Sequence, residues 1–353
     1  MSYSLKHMYE SSNMTFLEQF EAHRILENYD LCVTNVDRVR SAFKVTTNNG
    51  CFCLKKIGNG EKRAIKSIKI MEYLKEQGFN KVTSPFYTLS GEILINRKSS
   101  TYYLTNWLDA YEICFDNIKH ICESAQLLAE FHNKAKGFRS KEIQIKSRIG
   151  KMPSLLNDKI NFLIKVKEHL EQKTVKTDFD NLYYGGIDYY IHQAQYAANI
   201  LKHSDYDMLC EKNKKELYIC HDSFYYQNIL KDESDNYFLI DLESCLYDLP
   251  LVDVSKFIRR IMTDKKSLWD FDLCKSMLLE YGNIRKIDEK EYKIILSMIA
   301  FPYKFYKIGK KKYLKNKKWK DERFNSKLKR ILQYKENQEK FIEKYIKYYD
   351  IKL

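Results

Sequence analysis

The sequence has no CxxC pair, and its nine cysteines fall at irregular spacings. That excludes a disulfide framework and points to reduced thiols in a cytosol-like compartment. Paired Cys/His ligand spacings are missing too, so no zinc site is expected. The stretch "MSYSLKHMYESSNMTF" has no apolar h-region, and no signal peptide is expected. No apolar run is long enough to span a bilayer. There is no internal repeat and no long low-complexity linker.

What remains is a chain of 353 residues, too long for one compact core, which suggests two lobes. At 44% hydrophobic and 31% charged residues the composition is globular. The net charge of +14 favours anionic partners such as phosphates, nucleic acid or an acidic protein surface. A lysine-rich solvated surface would give the same number. The lysine run "YKIGKKKYLKNKKWKDE" carries both readings. It is a solvated face beside a packed closing helix, or an anion-binding stripe with Tyr313 and Trp319 as anchors. No recognised nucleic-acid module accompanies it, so nucleic acid is not an expected partner.

Hydrophobic periodicity predicts a helix over 13–29, with Phe16, Leu17 and Phe20 on one side. Strands follow, and Asn49-Gly50 between two β-type runs marks a hairpin. "EKRAIKSIKIMEYLKEQGF" reads as a helix with Ala64, Ile68, Met71 and Leu74 on one face and Gly78 as its stop. Strands resume to Trp107, with turns at Ser90-Gly91 and Lys98 to Ser100. Beyond Trp107 the chain is mostly helical, with helices expected at 117–135, 152–173 and 188–206. A strand-like pair near 217–220 and 237–241 interrupts them. Strands first and helices later give an α+β chain with a small antiparallel sheet lobe and a large helical lobe.

The chemistry-bearing stretch is "ICHDSFYYQNILKD". In kinase-like phosphotransferases a loop H-x-D-x-x-x-x-N anchors itself with His, takes the substrate proton on Asp and ligates metal with Asn. His221 and Asn228 fit that frame, seven residues apart. Thirteen residues on, "FLIDLE" ends a strand at Asp241, where such enzymes hold Mg²⁺. The interval suits a short hairpin between two metal ligands. The plainer reading leaves Asp241 capping a turn and Asn228 bonding backbone. Upstream, "CFCLKKI" places Lys55 like the phosphate-pairing Lys of V-A-I-K, and Lys56 on the opposite strand face. The following helix should supply its carboxylate partner, from Glu72 or Glu61. Between the first two strands, "NVDRVRSAF" has no glycine-rich phosphate loop.

The order of the Lys55 strand, "YYLTNWL", "LLAEFH", "HDSFYYQN" and "IDLESCLYDLPLVDVSKFIRR" resembles the aminoglycoside phosphotransferase and choline kinase superfamily. Within it, "CHDSFYYQNIL" and the tail "FPYKFYKIGKKKYLKNKKW" are most similar to the CotS family of spore-coat proteins. That resemblance covers nearly the full chain. It implies a protein kinase-like fold, with an N-terminal lobe over 1–105, a hinge at 106–110 and a helical C-terminal lobe over 111–353. It also implies ATP and Mg²⁺ as cofactors, bound through Lys55, Glu72, Trp107, Asn228 and Asp241. Asp253 matches a downstream Asp with a supporting role. The family further implies mother-cell synthesis, a place in the endospore coat and other coat proteins as partners.

The sequence departs from the pattern at the third loop position, which is Ser223. The acid stands one place early, at Asp222, where the superfamily often has Gly. A serine hydroxyl is too weakly acidic to serve as a base near pH 7. The expectation is therefore a pseudokinase-like coat protein with impaired or absent catalysis, with an active phosphotransferase as the alternative. The acceptor is not legible. Asp178, Asp180 and Asp188 would suit a cationic acceptor, but caps and solvated charges are the plainer reading.

Overall fold

The computed structural model describes residues 14–58, 60–315 and 317–353. Residues 1–13, which carry most of the stretch read for a signal sequence, lie outside it. The chain divides into two compact units, Met1–Ser147 with Leu217–Tyr247, and Arg148–Glu216 with Asp248–Leu353. The expected hinge at 106–110 lies inside the first unit.

The first unit opens with α1 (Phe16–Leu26), started by a capping box between Thr15 and Glu18. Its expected apolar face is corrected. Phe16, Leu17 and Phe20 are exposed, whereas Ala22, Ile25 and Leu26 enter the core with Tyr29. Glu18 and Glu21 pair with Arg38 and Lys56 on the adjoining strands, so the inward face of the helix is charged in its first half and apolar in its second.

The strands β1 (Val33–Val39), β2 (Ala42–Thr47) and β3 (Gly50–Gly58) form an antiparallel meander. The hairpin expected near Asn49-Gly50 is present. Its register pairs Thr47 with Gly50, so Asn48 and Asn49 make the turn and Gly50 opens β3 at φ +119°. Helix α2 (Glu61–Glu76) buries Ala64, Ile68, Met71 and Leu74, as its period predicts, and Gly78 ends it at φ +78°. Then come β4 (Pro85–Phe86), β5 (Ile95–Arg97) and β6 (Ser100–Asn106). The sheet order is β1-β2-β3-β6-β4, with β5 also on β6. Its inner face, with Val36, Phe43, Val45, Leu54, Tyr102 and Leu104, packs on α1.

After β7 (Tyr111–Glu112), helix α3 (Ile118–Ala135) completes the stretch up to Ser147. The chain re-enters this unit with β8 (Ile219–Cys220), β9 (Ile229–Lys231), β10 (Tyr237–Leu239) and β11 (Leu246–Tyr247). β9 and β10 form a hairpin whose turn is fixed by the Asp232 carboxylate, which accepts from the backbone N–H of Ser234 and Asn236.

The second unit is helical. It comprises α4 (Met152–Gln172), α5 (Asp178–Lys202), α6 (Tyr206–Glu216), α7 (Pro250–Met262), α8 (Phe271–Ile284), α9 (Glu289–Ala300), α10 (Tyr303–Gly309), α11 (Asp321–Gln333) and α12 (Lys335–Tyr348). The closing helix expected from sequence is two helices, α11 and α12. Helix α5 begins ten residues earlier than its expected start, at a Thr177 capping box. No helix among the described residues is long and apolar enough to cross a membrane.

Candidate functional site

The hairpin register assembles the site. Leu239 pairs with Ile229, and the Ile240 N–H bonds the Asn228 carbonyl at 3.0 Å. Asn228 and Asp241 therefore end the two hairpin arms side by side. The Asn228 amide donates to Asp241 Oδ2 at 3.4 Å and to the Ser223 carbonyl at 3.0 Å. Asn228 Oδ1 has no donor among the described residues. Asp241 sits in the left-handed region, at φ 66° and ψ 63°, before a 3₁₀ turn at Leu242–Ser244.

Both residues line a cavity of about 500 Å³ within the first unit. Lys55, Trp107 and Glu243 line it as well. Lys55 stands opposite Tyr103 of β6. Burial pushes its ammonium down, but Tyr103, Asp241, Cys53 and Glu243 outweigh it and hold the pKa above the usual lysine range. Tyr103 and Cys53 are themselves raised, chiefly by burial, so both are neutral near pH 7. The carboxyl partners of Lys55 are thus Asp241 and Glu243. The Glu243 carboxyl is raised in turn, by burial more than Lys55 lowers it. Lys56 turns to the other strand face and pairs with Glu21 at 2.9 Å.

Glu72 is not brought to Lys55. It accepts from the Tyr87 hydroxyl at 2.6 Å and pairs with Lys69 at 3.4 Å. Glu61 is exposed in the first turn of α2. Helical phase explains this. Arg63, Ser67 and Met71, four apart, present one face of α2 to the cavity, and Glu72 lies about 100° round from Met71. Glu243, which sequence reasoning missed, supplies the carboxylate from two residues beyond Asp241.

The loop itself is firmly anchored. His221 is fully buried. Its Nδ1 accepts from the Ser223 N–H at 3.3 Å, so Nε2 carries the proton and donates to the Ile240 carbonyl at 3.1 Å. Asp222 has φ 63°. Glycine enters that left-handed region freely and Asp tolerates it. His221, Asp222 and Ser223 are not among the residues lining the cavity.

Where a glycine-rich loop would lie, β1 and β2 join through Arg40 and Ser41, both lining the cavity. Arg40 is left-handed at φ 57°, and its guanidinium donates to Glu112 at 2.8 Å. Trp107 donates its backbone N–H to Cys51 at 3.0 Å, and the Lys44 ammonium stands 5.2 Å from its ring centroid.

In the second unit Asp253 is buried in the first turn of α7. Nearby Asp248 is pushed up to about 7, by burial first and with repulsion from Asp253. Asp180 is the Thr177 capping-box partner and pairs with Lys173 at 2.6 Å, while Asp188 pairs with Lys167 at 2.7 Å. Asp180 is thus a buried cap residue and Asp188 an exposed surface pair. Tyr313 donates to Asp180 at 3.0 Å and packs on Phe179, so it is no exposed anchor. Trp319 is ringed by Lys311, Lys317, Arg323 and Lys327, all within 6 Å of its centroid.

Comparison with known proteins places this geometry. Spore coat protein S of Bacillus subtilis (strain 168) is 25% identical over 309 residues, 86% of each chain. An aminoglycoside phosphotransferase from Alicyclobacillus acidocaldarius superposes with a TM-score of 0.83 at 20% identity, over 96% of this chain and 98% of its own. An amicoumacin kinase solved with AMP-PNP and Ca²⁺ gives 0.59 at 12% identity, over 92% and 93%. The two-lobe kinase-like α+β fold is therefore shared with small-molecule phosphotransferases. The match to the family described as "Spore coat putative kinase YutH" runs over residues 22–345, and the chain belongs to that family.

Proposed function

We propose that this chain is a spore coat component whose first unit binds a Mg²⁺-nucleotide and whose phosphoryl transfer is impaired or lost. The observation that carries the reading is the convergence of Lys55, Asn228, Asp241 and Glu243 on one cavity that Asp222 and Ser223 do not line. The residues fit the cofactor. Asn228 gives its amide hydrogens to Ser223 and Asp241, which leaves Oδ1 beside the Asp241 carboxylate. Two hard oxygen donors of this kind suit Mg²⁺, which neutralises phosphate charge when bound. Lys55 and Trp107 line the same cavity, where the ammonium would supply positive charge to the phosphates and the indole would give the nucleotide a packing surface. Ser223 instead serves the loop, its N–H on His221 and its carbonyl on Asn228. The name of the Bacillus subtilis relative supports a place in the spore coat beside other coat proteins.

Thermal denaturation with and without ATP and Mg²⁺ tests the binding claim. The expected result is a raised midpoint in the wild type and none in Asp241→Ala, because only the folded state binds. A wild type that ATP and Mg²⁺ leave unshifted overturns the reading.

An active phosphotransferase on a small hydroxylated molecule or a coat polymer is the second reading. The retained Lys55, Asn228 and Asp241 favour it, since positioning and charge neutralisation supply much of phosphoryl transfer. Either Asp222 takes the proton after a shift of the loop, or transfer runs without the base. ATP turnover with mother-cell extract that is the same in wild type, Asp222→Asn and Asp241→Ala rules it out.

A further inference from the structure

The second unit gathers positive charge in a way that its own carboxylates do not answer. Helix α10 and the π-turn that follows it, Lys310–Leu314, carry Lys304, Lys307 and Lys311 at i, i+3 and i+7. Such spacing puts like charges on one face, which costs helix stability. Tyr303, Tyr306 and Lys310 form the neighbouring face. The Arg259 guanidinium of α7 lies 3.8 Å from the Tyr303 centroid, and the Lys159 ammonium of α4 lies 5.7 Å from the same ring. Lys159 and Lys310 flank Tyr306, at 6.0 and 5.6 Å. Three helices thus deliver cations to two adjacent phenol rings.

Elsewhere in this unit lysines find acids. Lys167, Lys173 and Lys312 pair with Asp188, Asp180 and Asp321. Among the described residues, Lys159, Lys304, Lys307 and Lys310 make no ion pair. Arg259 donates one N–H to the Met298 carbonyl at 2.7 Å, and the rest of its fork has no protein acceptor among the described residues. The Tyr303 and Tyr306 hydroxyls have no hydrogen-bond partner there either. Two acids exert a weaker pull, Asp158 on Lys159 and Asp264 on Lys304.

The strain is visible in the lysines. Lys159 and Lys307 are both pushed down to about 8, by desolvation first and then by Arg259. Lys304 is lowered by desolvation and by Arg330 and Lys327. A fold that crowds cations this closely, and leaves a guanidinium fork and two phenols without acceptors, is stabilised by an anion. A single carboxylate would answer only one of these charges. Several oxygens on one compact ligand would answer most of them.

We propose that Lys159, Arg259, Lys304, Lys307 and Lys310, with the hydroxyls of Tyr303 and Tyr306, form a binding site for a compact multivalent phosphate-type anion. The site lies wholly within the second unit and is separate from the nucleotide cavity of the first. Its ligand is a clustered phosphate, as on a phosphorylated small molecule or coat component. Bound anion favours the charged forms of Lys159 and Lys307, so binding near pH 8 takes up protons.

The test is calorimetric titration of the full chain with inorganic tripolyphosphate at pH 8, without Mg²⁺, in two buffers of different ionisation heat. The account predicts binding with net proton uptake. It also predicts that the surface double variant Lys304→Gln/Lys307→Gln binds at least about tenfold more weakly. The variant should keep the wild-type thermal shift with ATP and Mg²⁺, which separates this site from the nucleotide reading and reports an intact fold. Equal binding by the variant overturns the proposal. So does acetate competing as well as tripolyphosphate, or a single-stranded oligonucleotide binding more tightly than tripolyphosphate through the same lysines.

Discussion

The side-chain amide of Asn228 reaches the carboxylate of Asp241 across 3.4 Å, joining the two arms of one hairpin at a single point on the cavity wall. Residues thirteen apart in sequence meet because β9 and β10 pair in register. In the proposed reading these two residues would be the metal arm of the loop, while Ser223, at the position of the base, bonds His221 and Asn228 through its backbone.

Lys55 draws its counter-charge from Asp241 and Glu243. Glu243→Gln should therefore weaken ATP binding about tenfold, by removing one of two carboxylates that hold the ammonium in place. Glu72→Gln should leave binding unchanged, because Glu72 is engaged by Tyr87 and Lys69. Equilibrium titrations of both variants check this, and the reverse ranking contradicts it.

Asp222 is held at φ 63°. Asp222→Gly should leave the midpoint of unfolding unchanged or raise it. Asp222→Val should lower stability by about 1–2 kcal/mol, since a β-branched residue is strained in that region. Denaturant melts decide the matter. A Val variant as stable as wild type would mean the backbone is not what this position serves.

Asp248 titrates near 7 in the fold against 3.8 as an ordinary side chain, because it is buried with its Oδ2 unpartnered. Its folded pKa is raised, so the native state keeps a proton that the unfolded chain has lost. Its contribution to stability is then greatest below about pH 4, falls as pH rises to 7 and is level above. The full swing is at most about 4 kcal/mol. Asp248→Asn keeps an oxygen for the Leu249 N–H and carries no charge. It should be more stable than wild type at pH 8 and show a flatter slope between pH 4 and 7. Urea midpoints at pH 5 and 8 test this, and parallel slopes in the two proteins refute it.

A Cβ at Gly309 would meet the Tyr183 hydroxyl at 2.1 Å and its Cζ at 2.6 Å. Tyr183 is buried and stacked 4.2 Å from Phe305, so it has little room to yield. Gly309→Ala should lower stability by about 1–3 kcal/mol although alanine favours helix. An unchanged or raised melting point would show that the ring can move.

Much of this was legible in the chain. The α2 face and the hairpin at Asn49-Gly50 follow from period and turn signal, and the positions of His221, Asn228 and Asp241 from the frame of the H-x-D-x-x-x-x-N pattern. Three features did not, each for a tertiary reason. The exposed Phe16, Leu17 and Phe20 have the right period, but that side faces solvent, while Glu18 and Glu21 meet Arg38 and Lys56 of the sheet. Helix α5 runs through Gly185-Gly186, poor helix formers locally. A Cβ at Gly186 would come within 2.8 Å of the Leu332 Cδ2 of α11, the end of a side chain that can turn aside, so the run is held by its packing and not by local propensity. Glu243 was passed over because its tie to Lys55 depends on the turn after Asp241, which neither motif spacing nor propensity describes.

The central claim is that the first unit binds a Mg²⁺-nucleotide through Asn228 and Asp241. Calorimetric titration of the wild type with ATP, with and without Mg²⁺, tests it most directly, beside Asp241→Ala. The account predicts saturable binding that requires Mg²⁺ and is lost in the variant. Wild-type protein that gives no heat with ATP and Mg²⁺, or a variant that binds as tightly as wild type, would contradict it.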